Sequence, residues 1–163
     1  MLKILLGILL SGSMTGSFAQ KNCSIKKAFA FYTVSVPGMI RKDDNGNEVR
    51  PTPSVERTIY MECSGTKAPV LEAILYDNII LKTTVTKAET AMITVGRKPN
   101  AEKDYTLTAA KGNTIWKVLL QPADEKTAVA EDCKNIIIKS RSGSKACRYN
   151  INKEAELVGL PNY

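Results

Sequence analysis

The chain has 163 residues, with 23 Lys+Arg against 16 Asp+Glu and no histidine. That length suits one domain and is short for two. The lack of histidine excludes Ser-His-Asp and Cys-His hydrolases and every His-ligated metal site, while the formal charge of +7 favours anionic partners and says nothing of the fold.

At the amino terminus Lys3 precedes an apolar run over 4–10 and a small polar stretch over 11–17, and Ser17-Phe18-Ala19 offers a small-x-small cleavage site. This pattern predicts a secretory signal over 1–19 and a single mature domain over 20–163. The apolar run is well short of the ~20 residues a membrane span needs, and no later stretch is longer, so no transmembrane segment is expected in the mature chain. Cys23 does not directly follow the cleavage site and lacks a small-residue box before it, which argues against a lipid anchor. Asn22-Cys23-Ser24 matches a glycosylation acceptor, relevant only in a eukaryotic secretory pathway.

Export sets the redox context of Cys23, Cys63, Cys133 and Cys147. An even count without CxxC spacing predicts two disulfides rather than zinc or thioredoxin chemistry. Proximity in sequence favours Cys23 with Cys63 and Cys133 with Cys147. One observation opposes it: if residues 136–140 and 145–151 form a hairpin around Gly143, Cys147 faces roughly Lys139, and Cys133 lies about 20 Å away at strand rise.

Along the mature chain the apolar period is two, the mark of half-buried strands. Phe29 and Phe31 alternate with Ala30 and Tyr32 before Val34 and Val36, and Pro37-Gly38 ends the run. Asp43-Asp44-Asn45-Gly46-Asn47 is a hairpin turn signal, and Pro51 and Pro53 stop that excursion. Ile59, Met61 and Cys63 take one face against Thr58, Tyr60 and Glu62. Leu71, Ala73 and Leu75 repeat the pattern, Asp77-Asn78 turns the chain, and Ile79, Leu81, Thr83 and Val85 continue it. Ala91, Ile93 and Val95 follow, then Tyr105, Leu107 and Ala109, then a Gly112-Asn113 turn. After it Trp116, Val118 and Leu120 oppose Ile115, Lys117 and Leu119. Residues 123–132 offer the sole helix candidate, a short connector with good helix formers but no apolar stripe. Ile136 to Ile138 and Tyr149 with Ile151 supply the last two strands.

Eight to nine strands at such spacing predict an all-β fold, an antiparallel β-sandwich of immunoglobulin-like general form with at most one short helix, although a closed barrel would read similarly. Trp116 lies between Cys63 and Cys133, but Glu131 stands where a tyrosine corner would need tyrosine. The likeness is therefore one of architecture.

Among chemistry-bearing groups, Asp43/Asp44, Asp124/Glu125 and Glu131/Asp132 are carboxylate pairs of the kind a glycosidase uses, each in a turn or polar connector where solvated acids are ordinary. Asp43, Asn45 and Asn47 with Glu48 alternate oxygen ligands, but Gly46 comes at the fourth position rather than the sixth of a calcium loop, and a hairpin turn explains the same residues. Ser140, Ser142 or Ser144 beside Lys139 or Lys145 make no specific dyad. No metal or cofactor is predicted.

Charge carries the sharper expectation. Cleavage removes Lys3 and no acid, leaving 22 basic residues against 16 acidic. From 133 to 153 stand Lys134, Lys139, Arg141, Lys145, Arg148 and Lys153 with no acid, so this segment holds the whole net charge of +6 and the rest is neutral. Lys134, Lys139, Arg141, Lys145 and Arg148 are the predicted anion-binding residues, acting over the ~10 Å that salt leaves unscreened. The expected function is a secreted or periplasmic, non-catalytic binding or structural module. Its partner would be a protein, an anionic polysaccharide or a lipid headgroup, rather than chromosomal nucleic acid. The alternative is a small secreted histidine-free enzyme or enzyme inhibitor with a site built from turn residues.

Overall fold

The computed structural model describes residues 23–35, 41–49, 54–122, 133 and 135–158. The expected signal over 1–19, the helix candidate over 123–132 and Lys134 lie outside the described residues. Among those described the fold is all-β: twelve strands and no helix.

Eight strands form one sheet. They are β1 (Ile25–Ser35), β4 (Ser54–Ser64), β5 (Val70–Tyr76), β6 (Ile79–Lys87), β9 (Asn113–Gln121), β10 (Ile136–Ser142), β11 (Lys145–Ile151) and β12 (Glu154–Leu157). Their order is β11-β10-β5-β6-β9-β4-β1-β12. Every pairing is antiparallel except that of β12 with β1, which is parallel, with Ala30 opposite Glu154 and Thr33 opposite Leu157. Two ribbons complete the chain: β2 (Arg41–Lys42) with β3 (Glu48–Val49), and β7 (Met92–Arg97) with β8 (Asp104–Thr108).

The long sheet curls until its halves face each other, so that one sheet supplies both walls of the core. Alternate residues of β4 and β9, namely Ile59, Met61, Cys63, Trp116, Val118 and Leu120, pack with Ile74, Tyr76, Ile136 and Ile138 from the opposite half. The curl brings β11, an edge strand, to the start of β1, and there Cys23 is bonded to Cys147 with Cα atoms 5.9 Å apart. This corrects the expected pairing of Cys23 with Cys63 and of Cys133 with Cys147. The β10–β11 hairpin around Gly143 does form, Cys147 stands opposite Ser140, and Cys133 is left at the far end of β10. Cys63 and Cys133 are buried free thiols. Cys133 adjoins Asn135, whose carbonyl accepts from Asp77 N–H at the β5–β6 turn. Cys63 is opposite Ile25 at the other end of the core, so the two thiols are a strand length apart.

Two further details differ from simple alternation. On β5 the core takes Ile74 and Tyr76, fully buried, in place of the expected Ala73 and Leu75. The cause is a bulge: Lys139 faces Ala73 but Ser140 faces Leu71, so Glu72 is the extra residue that shifts the phase. Strand β12 was not expected, because its first residue is a glutamate buried in the structure.

On the outer face of β12, β1, β4 and β9 lies the β7–β8 ribbon. Phe31, Ile115, Leu157 and Leu107 form a second, smaller apolar cluster with Phe29, Tyr60, Ile93 and Tyr105 around them. The Phe31 ring meets Tyr60 edge-on at 5.9 Å and Tyr105 at 5.7 Å. The ribbon is tied to the sheet at both ends. Val158 N–H donates to the Arg97 carbonyl at 2.7 Å. Glu62 on β4 accepts from Ala110 N–H at 2.9 Å and from Asn113 Nδ2 at 2.6 Å, where the chain leaves β8 for β9.

Candidate functional site

Of the predicted basic segment, residues 136–151 form the β10–β11 hairpin. Antiparallel partners share a face, and Lys139 is opposite Arg148, so their side chains stand together on the exposed outer face. Arg141 is on the same face but is occupied: its guanidinium places Nη2 2.6 Å and Nε 2.8 Å from Glu72 Oε1. The acid that meets it is the bulged residue of β5, displaced outward by the same bulge that rephases the strand. Arg148 Nε donates to Asn150 Oδ1 at 3.1 Å, which holds the guanidinium along the strand, and no acid among the described residues pairs with it. Lys145 is exposed at the hairpin turn opposite Ser142, and Lys153 is exposed between β11 and β12.

The other expected chemistry dissolves locally. Asp43 accepts from the N–H groups of Asn45 and Asn47 at 3.0 and 2.8 Å, the ordinary closure of a turn. Those hydrogen bonds, led by the one from Asn47, hold its carboxyl below the usual range. Among the described residues no cluster of three or more metal-ligating side chains occurs. Ser140 is buried and faces the core, away from Lys139. Asp124/Glu125 and Glu131/Asp132 lie outside the described residues.

Sequence reasoning missed two features. The first is a buried polar cluster in the core. Tyr76 Oη donates to Glu154 Oε1 at 3.0 Å, Arg57 Nε stands 3.3 Å from Glu154 Oε2, and the guanidinium lies over the Tyr76 ring at 5.5 Å. Burial raises the Glu154 carboxyl above its ordinary range, against the pull of Arg57 and Tyr76. Burial, then the Glu154 charge, raises the Tyr76 phenol.

The second is a groove of about 730 Å³ between the β7–β8 ribbon and the sheet. Its floor is Phe31, Tyr60 and Leu157, its flank carries the hydroxyls of Thr33, Ser35 and Thr58, and Glu56, Lys117, Arg97 and Asp104 supply charge. Arg97 and Asp104 are paired with each other at 3.4 Å. No single segment carries this set; β1, β4, β7, β8, β9 and β12 each supply part of it, so only the alternation of threonine and aromatic residues along β1 and β4 hinted at a mixed surface.

Neither known protein families, curated proteins nor solved structures gave a match to this chain.

Proposed function

We propose that the protein is an exported, non-catalytic binding module of the cell envelope or extracellular space that contacts an anionic partner through the outer face of its β10–β11 hairpin. The observation that carries this reading is the direct opposition of Lys139 and Arg148 on an exposed face. Like charges directly opposite on a strand pair cost stability. A bound carboxylate, sulfate or phosphate removes that cost and gains two charge-assisted contacts. The Cys23–Cys147 bond and the leader-like pattern over 1–19 support an oxidising, exported setting. No helix among the described residues is long and apolar enough to cross a membrane.

The test is retention of the mature protein on a heparin column. Replacing Lys139 and Arg148 by alanine lowers the eluting salt concentration, whereas Arg141→Ala lowers it less because Glu72 already compensates that charge. Glu72→Ala frees Arg141 and raises it. Equal elution of wild type and the Lys139/Arg148 double variant overturns the reading.

A further inference from the structure

The groove beneath the ribbon holds unspent hydrogen-bonding and charge capacity. Among the described residues the side chains of Glu56 and Lys117 have no ion-pair or hydrogen-bond partner, and neither do the hydroxyls of Thr33, Thr58 and Thr94 that line the same space. The contrast with Arg97 and Asp104, which neutralise each other at the rim, isolates one acid and one amine.

Their placement follows from register. Lys117 on β9 is opposite Tyr60 on β4, and Glu56 is four residues before Tyr60 on that strand. At strand rise this puts the acid and the amine about 13 Å apart along the groove. An extended chain advances about 3.3–3.6 Å per residue, so three to four residues span the gap between a free amine and a free carboxylate. Thr33 is opposite Glu56 at one end and Tyr60 is opposite Lys117 at the other, and between them Thr58, with its hydroxyl, is opposite Phe31 across the strand pair. An extended ligand presents peptide groups to such hydroxyls and alternate side chains to the apolar atoms beside them, since successive side chains point to opposite sides. The volume is of the size that encloses a small ligand.

We propose that this groove binds a short peptide with both termini free, three to four residues long, its amine at Glu56 and its carboxylate at Lys117. The site is separate from the β10–β11 hairpin and uses none of its residues. A neutral saccharide could use the hydroxyls but would leave the acid and the amine unmatched; a peptide capped at either end leaves one of them so.

Isothermal titration calorimetry of the full mature protein with tetra-alanine tests this. Tetra-alanine binds; its N-acetyl and C-amide forms each bind at least about tenfold more weakly, the size of one charge-assisted contact. Glu56→Gln lowers affinity for tetra-alanine and abolishes the effect of N-acetylation. Lys117→Gln does the same for C-amidation. The Lys139/Arg148 alanine variant binds tetra-alanine as wild type does, so the two proposals fail separately. The capped peptides read the charges on the wild-type protein, independent of any variant's folding. Absence of heat with millimolar tetra-alanine, equal affinity for capped and free peptide, or a response to a neutral oligosaccharide in its place overturns the proposal.

Discussion

Tyr76 on β5 donates its hydroxyl to Glu154 on β12 at 3.0 Å across the core, although the two strands are far apart in the order of the sheet. This contact exists only because the sheet curls. It anchors β12, a four-residue strand that pairs among the described residues with β1 alone, through a carboxylate that also faces Arg57 at 3.3 Å.

Removing one member of this cluster takes a charge or hydrogen-bond partner from the others in a buried setting. Arg57→Met or Glu154→Leu is expected to cost roughly 3–5 kcal/mol, the usual consequence of breaking a buried ion pair from one side. Tyr76→Phe removes one hydrogen bond to a charged group and costs about 1.5–3 kcal/mol. The double variant Arg57→Met/Glu154→Leu is expected to be more stable than either single variant, since no charge remains to be solvated. Urea denaturation of wild type and the four variants measures this. Additive losses in the double variant would show that packing, and not charge, holds β12.

The single bond between Cys23 and Cys147 spans 124 residues of sequence and ties the edge strand β11 to the start of β1. Reduction is expected to destabilise the protein by roughly 2–5 kcal/mol. Burial, then the neighbouring Glu62 charge, pushes the Cys63 thiol up to about 12, and burial raises the Cys133 thiol too. Both should therefore resist alkylation at neutral pH in the native protein and react once it is unfolded. Peptide mapping after alkylation in denaturant, without reductant, should find Cys63 and Cys133 labelled and Cys23 linked to Cys147. A second disulfide between Cys63 and Cys133 would require the ends of the core to meet.

Strands were legible wherever a period of two met a turn residue, as in Ile59, Met61 and Cys63 or in the Asp77-Asn78 turn. The phase of β5 was not, because the bulge at Glu72 arises from pairing with β10 and leaves no mark in the local pattern. The disulfide was misread for a related reason. Sequence proximity favoured Cys63, but curling of the sheet decides which edge reaches Cys23. The basic hairpin was readable as a run of lysine and arginine, whereas the acid that compensates Arg141 comes from 69 residues away. The groove was hidden because no segment contains more than a few of its residues.

The β5–β6 turn provides a local test. Asp77 and Asn78 have φ of 45° and 74°, a two-residue hairpin loop with both residues left-handed, the arrangement whose twist matches the flanking strands. Asn78→Val is expected to cost roughly 1–2 kcal/mol, since a side chain branched at Cβ resists this region. Asn78→Gly should lie within about 0.5 kcal/mol of wild type or above it. Thermal unfolding distinguishes the two, and equal melting temperatures would contradict the turn geometry.

Glu62 sets a pH dependence whose sign follows from the groups around its carboxylate. Burial alone would raise its carboxyl, but hydrogen bonds from Asn113 and from Ala110 N–H, with Lys27 at 3.4 Å, outweigh burial and hold it below the ordinary 4.5. A carboxyl with a lowered folded value stabilises the native state above its unfolded value and loses that contribution as pH falls through the folded one. The contribution is therefore complete near neutrality and declines below about pH 4.5. Glu62→Gln keeps the shape and removes the charge that gathers these donors. It is expected to cost about 1.5–3 kcal/mol at pH 7 and progressively less as the acid is protonated in both states of the wild type. Urea midpoints of the two proteins between pH 3 and 7 follow the difference. A gap that stays constant over that range would mean that Glu62 fastens the ribbon to the sheet by shape alone.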